Sequence, residues 1–206
     1  MTAYDELVPQ QVTGSATGAT SKLHAVSVRA ALKTFAKARA RLLDVNNWYN
    51  YCGKKGAEFQ LTDHNGNPLS TSQPEIGNLI RIRLPAPSND KGDGYDWVRI
   101  EQFESSSSSD NDEQVFGFRV RPVSNPKDRT NESAHFYTSE ATSSFLVRRK
   151  GAIVFAMERG RNEKPNPTGA FLNKLRNFFV AVAAMLGMAV PQWKMLTRAI
   201  LKPVKG

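Results

Sequence analysis

Cysteine is nearly absent: Cys52 is the only one in 206 residues. No disulfide can therefore close within the chain, and a disulfide-framed secreted scaffold is excluded. Histidine is scarce too, with His24, His64 and His135 scattered over a helix start, a turn and a loop. Neither an H-E-x-x-H pattern nor a Cys and His spacing is present, so the sequence presents no metal site and no cofactor motif. No apolar run reaches the roughly 20 residues of a bilayer span. The longest, Phe178 to Val190, has 13 and reads as a buried core helix. The first ten residues contain Asp5 and Glu6 and lack both a basic and an apolar signal region, so no secretory leader is expected. Together with the lone cysteine this places the expectation in a reducing cytoplasm.

Acid is missing from one whole stretch. Residues 164–206 hold seven Lys or Arg and no Asp or Glu, and residues 23–55 hold seven against Asp44 alone. The net charge of +9 is thus concentrated in the two regions that read as helical, while the centre of the chain is nearly neutral. If those regions meet in space they form a positive face, suited to nucleic acid, anionic lipid at a membrane surface, or an acidic partner.

With 40% apolar residues the chain can bury one substantial core. Residues 1–22, rich in Gly, Ser, Thr and Ala, read as a flexible tail that cannot offset its ordering entropy by burial. A single domain is expected over 23–190 and a basic helical segment over 191–206. From about His24 to Asp44, Val28, Leu32 or Ala31, Phe35 and Leu42 fall at helical spacing, and Arg29, Lys33, Lys37 and Arg41 make a basic ridge beside them. Strand patterns follow at Glu58–Thr62, Leu79–Leu84, Trp97–Phe103, Gln114–Val123, Ser143–Arg149 and Ala152–Arg159, with turns at Asn65-Gly66 and Lys150-Gly151. Glu104–Glu113, with five consecutive serines, reads as a disordered hairpin tip. In the last hairpin Phe145 and Val147 are expected to share the inner face with Ile153, Phe155 and Met157. Thr168 is a plausible N-cap for an apolar helix running to about Met188.

Asp44, Trp48 and the run Ile76-Gly77-Asn78-Leu79-Ile80-Arg81-Ile82 resemble the "D…W" turn and the glycine-led strand of the helix-grip superfamily, which includes START-like lipid-transfer domains, plant pathogenesis-related allergens and polyketide cyclases. The order of six strands and then a long apolar helix after Trp48 is similar as well, although no clear strand precedes the first helix. The resemblance implies an α+β fold: a curved antiparallel sheet of about six or seven strands wrapped around a long C-terminal helix. It also implies a cavity between sheet and helix that holds apolar or amphipathic ligands. No common catalytic set exists in that superfamily, so no catalytic residue carries over.

Two functional readings stay open. In the first, a non-enzymatic protein binds an apolar or amphipathic small molecule, with Trp48, Phe116, Phe118, Phe155, Met157, Phe178 and Phe179 lining the cavity and Arg159, Asn162 and Glu163 at its mouth. Ordinary core packing accounts for the same aromatic residues. In the second, the basic helices and an arginine strand face bind nucleic acid or an acidic partner, through Arg29, Lys33, Lys37, Arg41, Arg81, Arg83, Arg119 and Arg121, with Arg99 and Arg148 alongside and Trp97 available for stacking. Against it stands cross-strand pairing of those arginines with Glu101 and Glu158. Ser88-Asn89-Asp90-Lys91 fits S-x-x-K only in form, because it lies in a Pro and Gly loop rather than at a helix start. Asp90, Asp93 and Asp96 miss the spacing of a calcium loop.

Overall fold

The computed structural model describes residues 2–83, 95–108, 112–127, 137–164 and 191–202. A short helix α1 (Ala3–Leu7) leads into strand β1 (Ser15–His24) and helix α2 (Val28–Leu43), followed by a 3-10 turn (Val45–Asn47) and helix α3 (Trp48–Tyr51). Strands β2 (Glu58–Thr62), β3 (Leu79–Arg83), β4 (Asp96–Ser107), β5 (Glu113–Pro122), β6 (Thr142–Lys150) and β7 (Ile153–Glu163) come next. Residues 191–201 form a last helix, α4. The fold is α+β, with one seven-stranded curved antiparallel sheet in the order β1-β7-β6-β5-β4-β3-β2 and a C-terminal helix. The apolar helix expected over Thr168–Met188, with Phe178 and Phe179, lies outside the described residues, as do Ser88–Lys91 and Asp93. Among the described residues no helix is long and apolar enough to cross a membrane.

The expected tail is instead ordered structure. Thr2 and Asp5 form a capping box for α1, which buries Ala3 and Leu7. Residues 15–24 pair with β7 from Ser15↔Glu163 to His24↔Ile153. Composition misled here because backbone pairing, rather than burial of large side chains, secures a strand of Ser, Thr, Gly and Ala at the sheet edge. The expected serine tip is also shorter, since β4 continues to Ser107 and β5 starts at Glu113.

Strand register sorts the side chains onto two faces. The inner face takes Phe59, Leu61, Ile80, Ile100, Phe116, Phe118, Val120, Phe145, Val147, Val154 and Ala156, which pack with Ala31, Phe35, Ala38 and Leu42 of α2 and with Leu196, Ala199, Ile200 and Leu201 of α4. Ala31 rather than Leu32 completes the α2 stripe, for Leu32 and Val28 are exposed. The outer face holds a second cluster of Leu7, Val115, Leu146 and Met157 with Phe155, covered by α1. Gly117 admits α1 closely: a Cβ there would sit 3.0 Å from Leu7 Cδ1.

This register corrects one expectation. Phe155, Met157 and Arg159 face outward, because Val147 pairs with Ala156 and Phe145 with Glu158. Both alternating sets of β7 are apolar, so periodicity alone does not choose a face. The slimmer set, Val154 and Ala156, lies under the helices.

Candidate functional site

At the centre of the inner face the aromatic rings are packed against one another. Trp48 is fully buried, with ring centroids 5.1 Å from Phe59, 6.2 Å from Phe118 and 5.1 Å from Phe145. Its Nε1 donates to the Arg41 carbonyl at 3.0 Å, which satisfies the one polar atom of the indole. Phe118 is likewise fully buried, and Phe116 lies beneath the Arg39 guanidinium at 4.2 Å. Of the expected lining, Trp48, Phe116 and Phe118 therefore share the inner face, while Phe155, Met157 and Arg159 lie on the other side of the sheet. Arg159 is occupied there by Tyr4 Oη, the Ala19 carbonyl and Thr20 Oγ1.

Beyond the rings, toward the far end of β7, the inner face turns acidic. Glu158 stands between Ala19 of β1 and Phe145 of β6. It is completely buried, and neither carboxyl oxygen has a hydrogen-bond partner among the described residues. Burial, reinforced by the charge of Glu163 and opposed by Arg159 and Arg161, pushes its carboxyl up to about 8. Glu163 reaches the same face through an irregularity. Asn162 adopts a left-handed conformation (φ 55°), and the β1–β7 register shifts between Ser15 and Thr17. An extra residue of this kind re-aims the side chains that follow it. The Asn162 side chain fixes the bend by accepting from the Val12 and Thr13 amides at 2.7 and 3.1 Å.

Glu163 Oε1 accepts from Thr17 Oγ1 at 2.9 Å, while Oε2 is buried without a partner among the described residues. Burial again raises this carboxyl above its ordinary value. Gly160 provides the space, since a Cβ there would lie 2.1 Å from Glu163 Oε1. The neighbouring strand of chain is tied in by the Thr138 amide, which donates to the Lys164 carbonyl at 2.9 Å. Tyr137 is thereby held within the field of Glu163, Glu158 and Asp96, whose charges add to burial in raising its phenol. Asp96 pairs with Ile82 on the inner face; its Oδ1 is enclosed, again with no partner among the described residues, and burial pushes the carboxyl up to about 7.

Protonated, such carboxyls present one donor and one acceptor each. Ionised, they accept only. These carboxyls can therefore hold or release a proton inside the protein. Among the described residues no three His, Cys, Asp or Glu side chains converge to hold a metal ion. Of the mouth residues expected from sequence, Glu163 belongs to this site and Asn162 braces it. Glu158, Asp96 and Tyr137 were not expected. Glu158, expected as a cross-strand partner for arginine, instead shares the inner face with Val154 and Ala156, a parity fixed by the register with β6 and not by the alternation of β7 itself.

The anion-binding candidates are divided. Arg29, Lys33 and Lys37 are exposed on α2, but Arg41 turns to the C-terminus of α4, donating to the carbonyls of Ala199 at 3.4 Å, Ile200 at 3.1 Å and Lys202. Arg81, Arg83, Arg99, Arg119, Arg121 and Arg148 all occupy the outer face, as their alternation predicted. There Arg119 and Arg121 both hold Glu101, at 2.5 and 2.7 Å, Arg148 holds Glu113 at 2.7 Å, and Arg81 stacks on Tyr95. Burial would raise Glu101, yet the hydrogen bonds from Arg121 and Arg119 keep it below its ordinary value. Cross-strand pairing thus consumes the centre of that arginine row.

No family model matches the chain, and no curated protein does. Among solved structures it is similar to an uncharacterized protein from Bacillus thuringiensis (12% identity, TM-score 0.41, covering 91% of this chain and 100% of that one). It is also similar to truncated norcoclaurine synthase from Thalictrum flavum (8% identity, TM-score 0.40, 95% and 100% covered) and to major latex-like protein 151 from Panax ginseng (13% identity, TM-score 0.34, 84% and 96% covered). At these values none of the three bears on what this chain binds.

Proposed function

We propose that the protein binds a small amphipathic molecule between the sheet and the helices, with binding rather than turnover as its role. The observation that carries this reading is Glu158: a fully buried carboxyl on the helix-covered face whose two oxygens lack partners among the described residues. A buried polar group left without a hydrogen bond costs about 1–3 kcal/mol, and a ligand that bonds to it recovers that cost. With its carboxyl pushed up to about 8, Glu158 is mainly protonated at neutral pH, offering a donor and an acceptor together. Its complement is a hydroxyl or amide group, joined to an apolar body that lies along the inner face.

Native mass spectrometry of protein washed in high salt, followed by organic extraction, tests this. A co-purifying molecule is expected, and readdition of the extract restores the mass. Glu158→Leu should weaken rebinding at least tenfold, whereas Glu158→Gln, which keeps a donor and an acceptor, should retain it. Wild-type binding should fall above pH 8 and that of Glu158→Gln should not. A bare mass together with no rebinding difference between Leu and Gln would refute the proposal.

A further inference from the structure

A concavity lies between α4 and the end of α3. It is an open groove of about 530 Å³, within the size range of small-molecule sites. Tyr51 and Cys52 form one wall and α4 the other, with Met195 and Ala199 contributing apolar surface. Lys194 and Arg198 stand four residues apart on one face of α4, and Lys202 follows directly after its last turn. The Lys194 ammonium is engaged by the Thr20 carbonyl. The side chains of Arg198 and Lys202 have no hydrogen bond or ion pair among the described residues.

Among the described residues no carboxylate lines the groove. Asp44 stands behind the Tyr51 hydroxyl, which donates to it, and does not itself line the groove. Two such cations above an apolar floor match a molecule that is anionic at one end and hydrocarbon at the other. Cys52 serves as a wall and reacts only slowly with thiol reagents, because burial raises its thiol above the ordinary value even with Lys202 nearby.

We propose that this groove binds a single anionic amphiphile, its carboxylate or phosphate head paired with Arg198 and Lys202 and its chain lying between Met195, Ala199 and the Tyr51–Cys52 wall. The occupant is a free monomer rather than a bilayer, since the cations sit on the rim of a two-walled depression and not on a protruding surface. This site is separate from Glu158, whose proposed complement is uncharged.

The test uses the full chain with dodecanoate below its micelle concentration, dodecanol as the uncharged counterpart, and vesicles of anionic phospholipid. Dodecanoate should bind saturably at one equivalent, at least tenfold more tightly than dodecanol, and should slow modification of Cys52 by a thiol reagent about tenfold. The double variant Arg198→Gln/Lys202→Gln should lose both effects while keeping the wild-type circular dichroism. Equal binding of dodecanol, persistence of dodecanoate binding in the double variant, or association with vesicles alone would overturn the proposal. Glu158→Leu should leave Cys52 protection intact, so failure of the interior site leaves this one standing. Loss of protection in Glu158→Leu would instead place the amphiphile in the interior and refute the groove.

Discussion

A carboxyl enclosed in a sheet is destabilising in its ionised form, and Glu158, which has no partner among the described residues, carries that cost in a way that depends on pH. Unfolded, it titrates near its ordinary 4.5; folded, near 8. Between those values the native state keeps a proton that the unfolded chain has released, so raising pH through this window favours unfolding. Asp96, raised from 3.8 to about 7, acts in the same direction. Below about pH 4 both states are protonated and the dependence ends. For each retained proton, a rise of one pH unit inside the window removes about 1.4 kcal/mol of stability. Glu158→Gln should therefore raise the melting temperature by several degrees at pH 8 and by little at pH 5. Equal changes at the two pH values would show that the carboxyl is not protonated in the fold. At this scale the sequence was legible where one alternating set is polar, as in Arg81 and Arg83 against Ile80 and Ile82. In β7 two apolar sets compete, and the face of Glu158 depends on register with β6, a contact between distant residues that periodicity cannot contain.

Among the elements, α4 depends most visibly on a residue far from it in sequence. A helix ends with carbonyls that have no partner of their own, and the Arg41 guanidinium of α2 supplies donors to Ala199, Ile200 and Lys202. A cation there also complements the negative end of the helix dipole. Arg41→Ala should cost about 1–2 kcal/mol and accelerate amide hydrogen exchange in residues 196–201 before the sheet is affected. Uniform acceleration over the whole molecule, or none, would contradict this role. The basic ridge of α2 was visible in the sequence as a four-residue repeat. Its fourth member being a cap was not, because the recipient lies about 160 residues away. The hairpins were legible for the converse reason: their turns and alternation are local. Strand β1 escaped notice since small polar residues bear no periodic signal, and what holds them is the backbone of β7.

For the molecule as a whole, β1 covers β7, the strand that carries both buried glutamates. Removing residues 2–24 would turn β7 into an edge, with unpaired backbone groups and Glu158 deprived of its Ala19 neighbour. That truncated chain should associate, eluting as oligomers in size-exclusion chromatography with light scattering; a monomer with native circular dichroism would show that the sheet tolerates the loss. The α+β class and the order of β2 to β7 followed from local patterns, but the addition of β1 at the edge beside β7 did not. The same pairing sets a timetable for synthesis. Ser15 meets a partner 148 residues later in the chain, so at about 5–20 residues per second the first strand waits roughly 7–30 s for its neighbour to be made. During that interval the nascent chain carries a sheet that cannot be completed, and the polypeptide can enclose its buried glutamates only after β7 has been made.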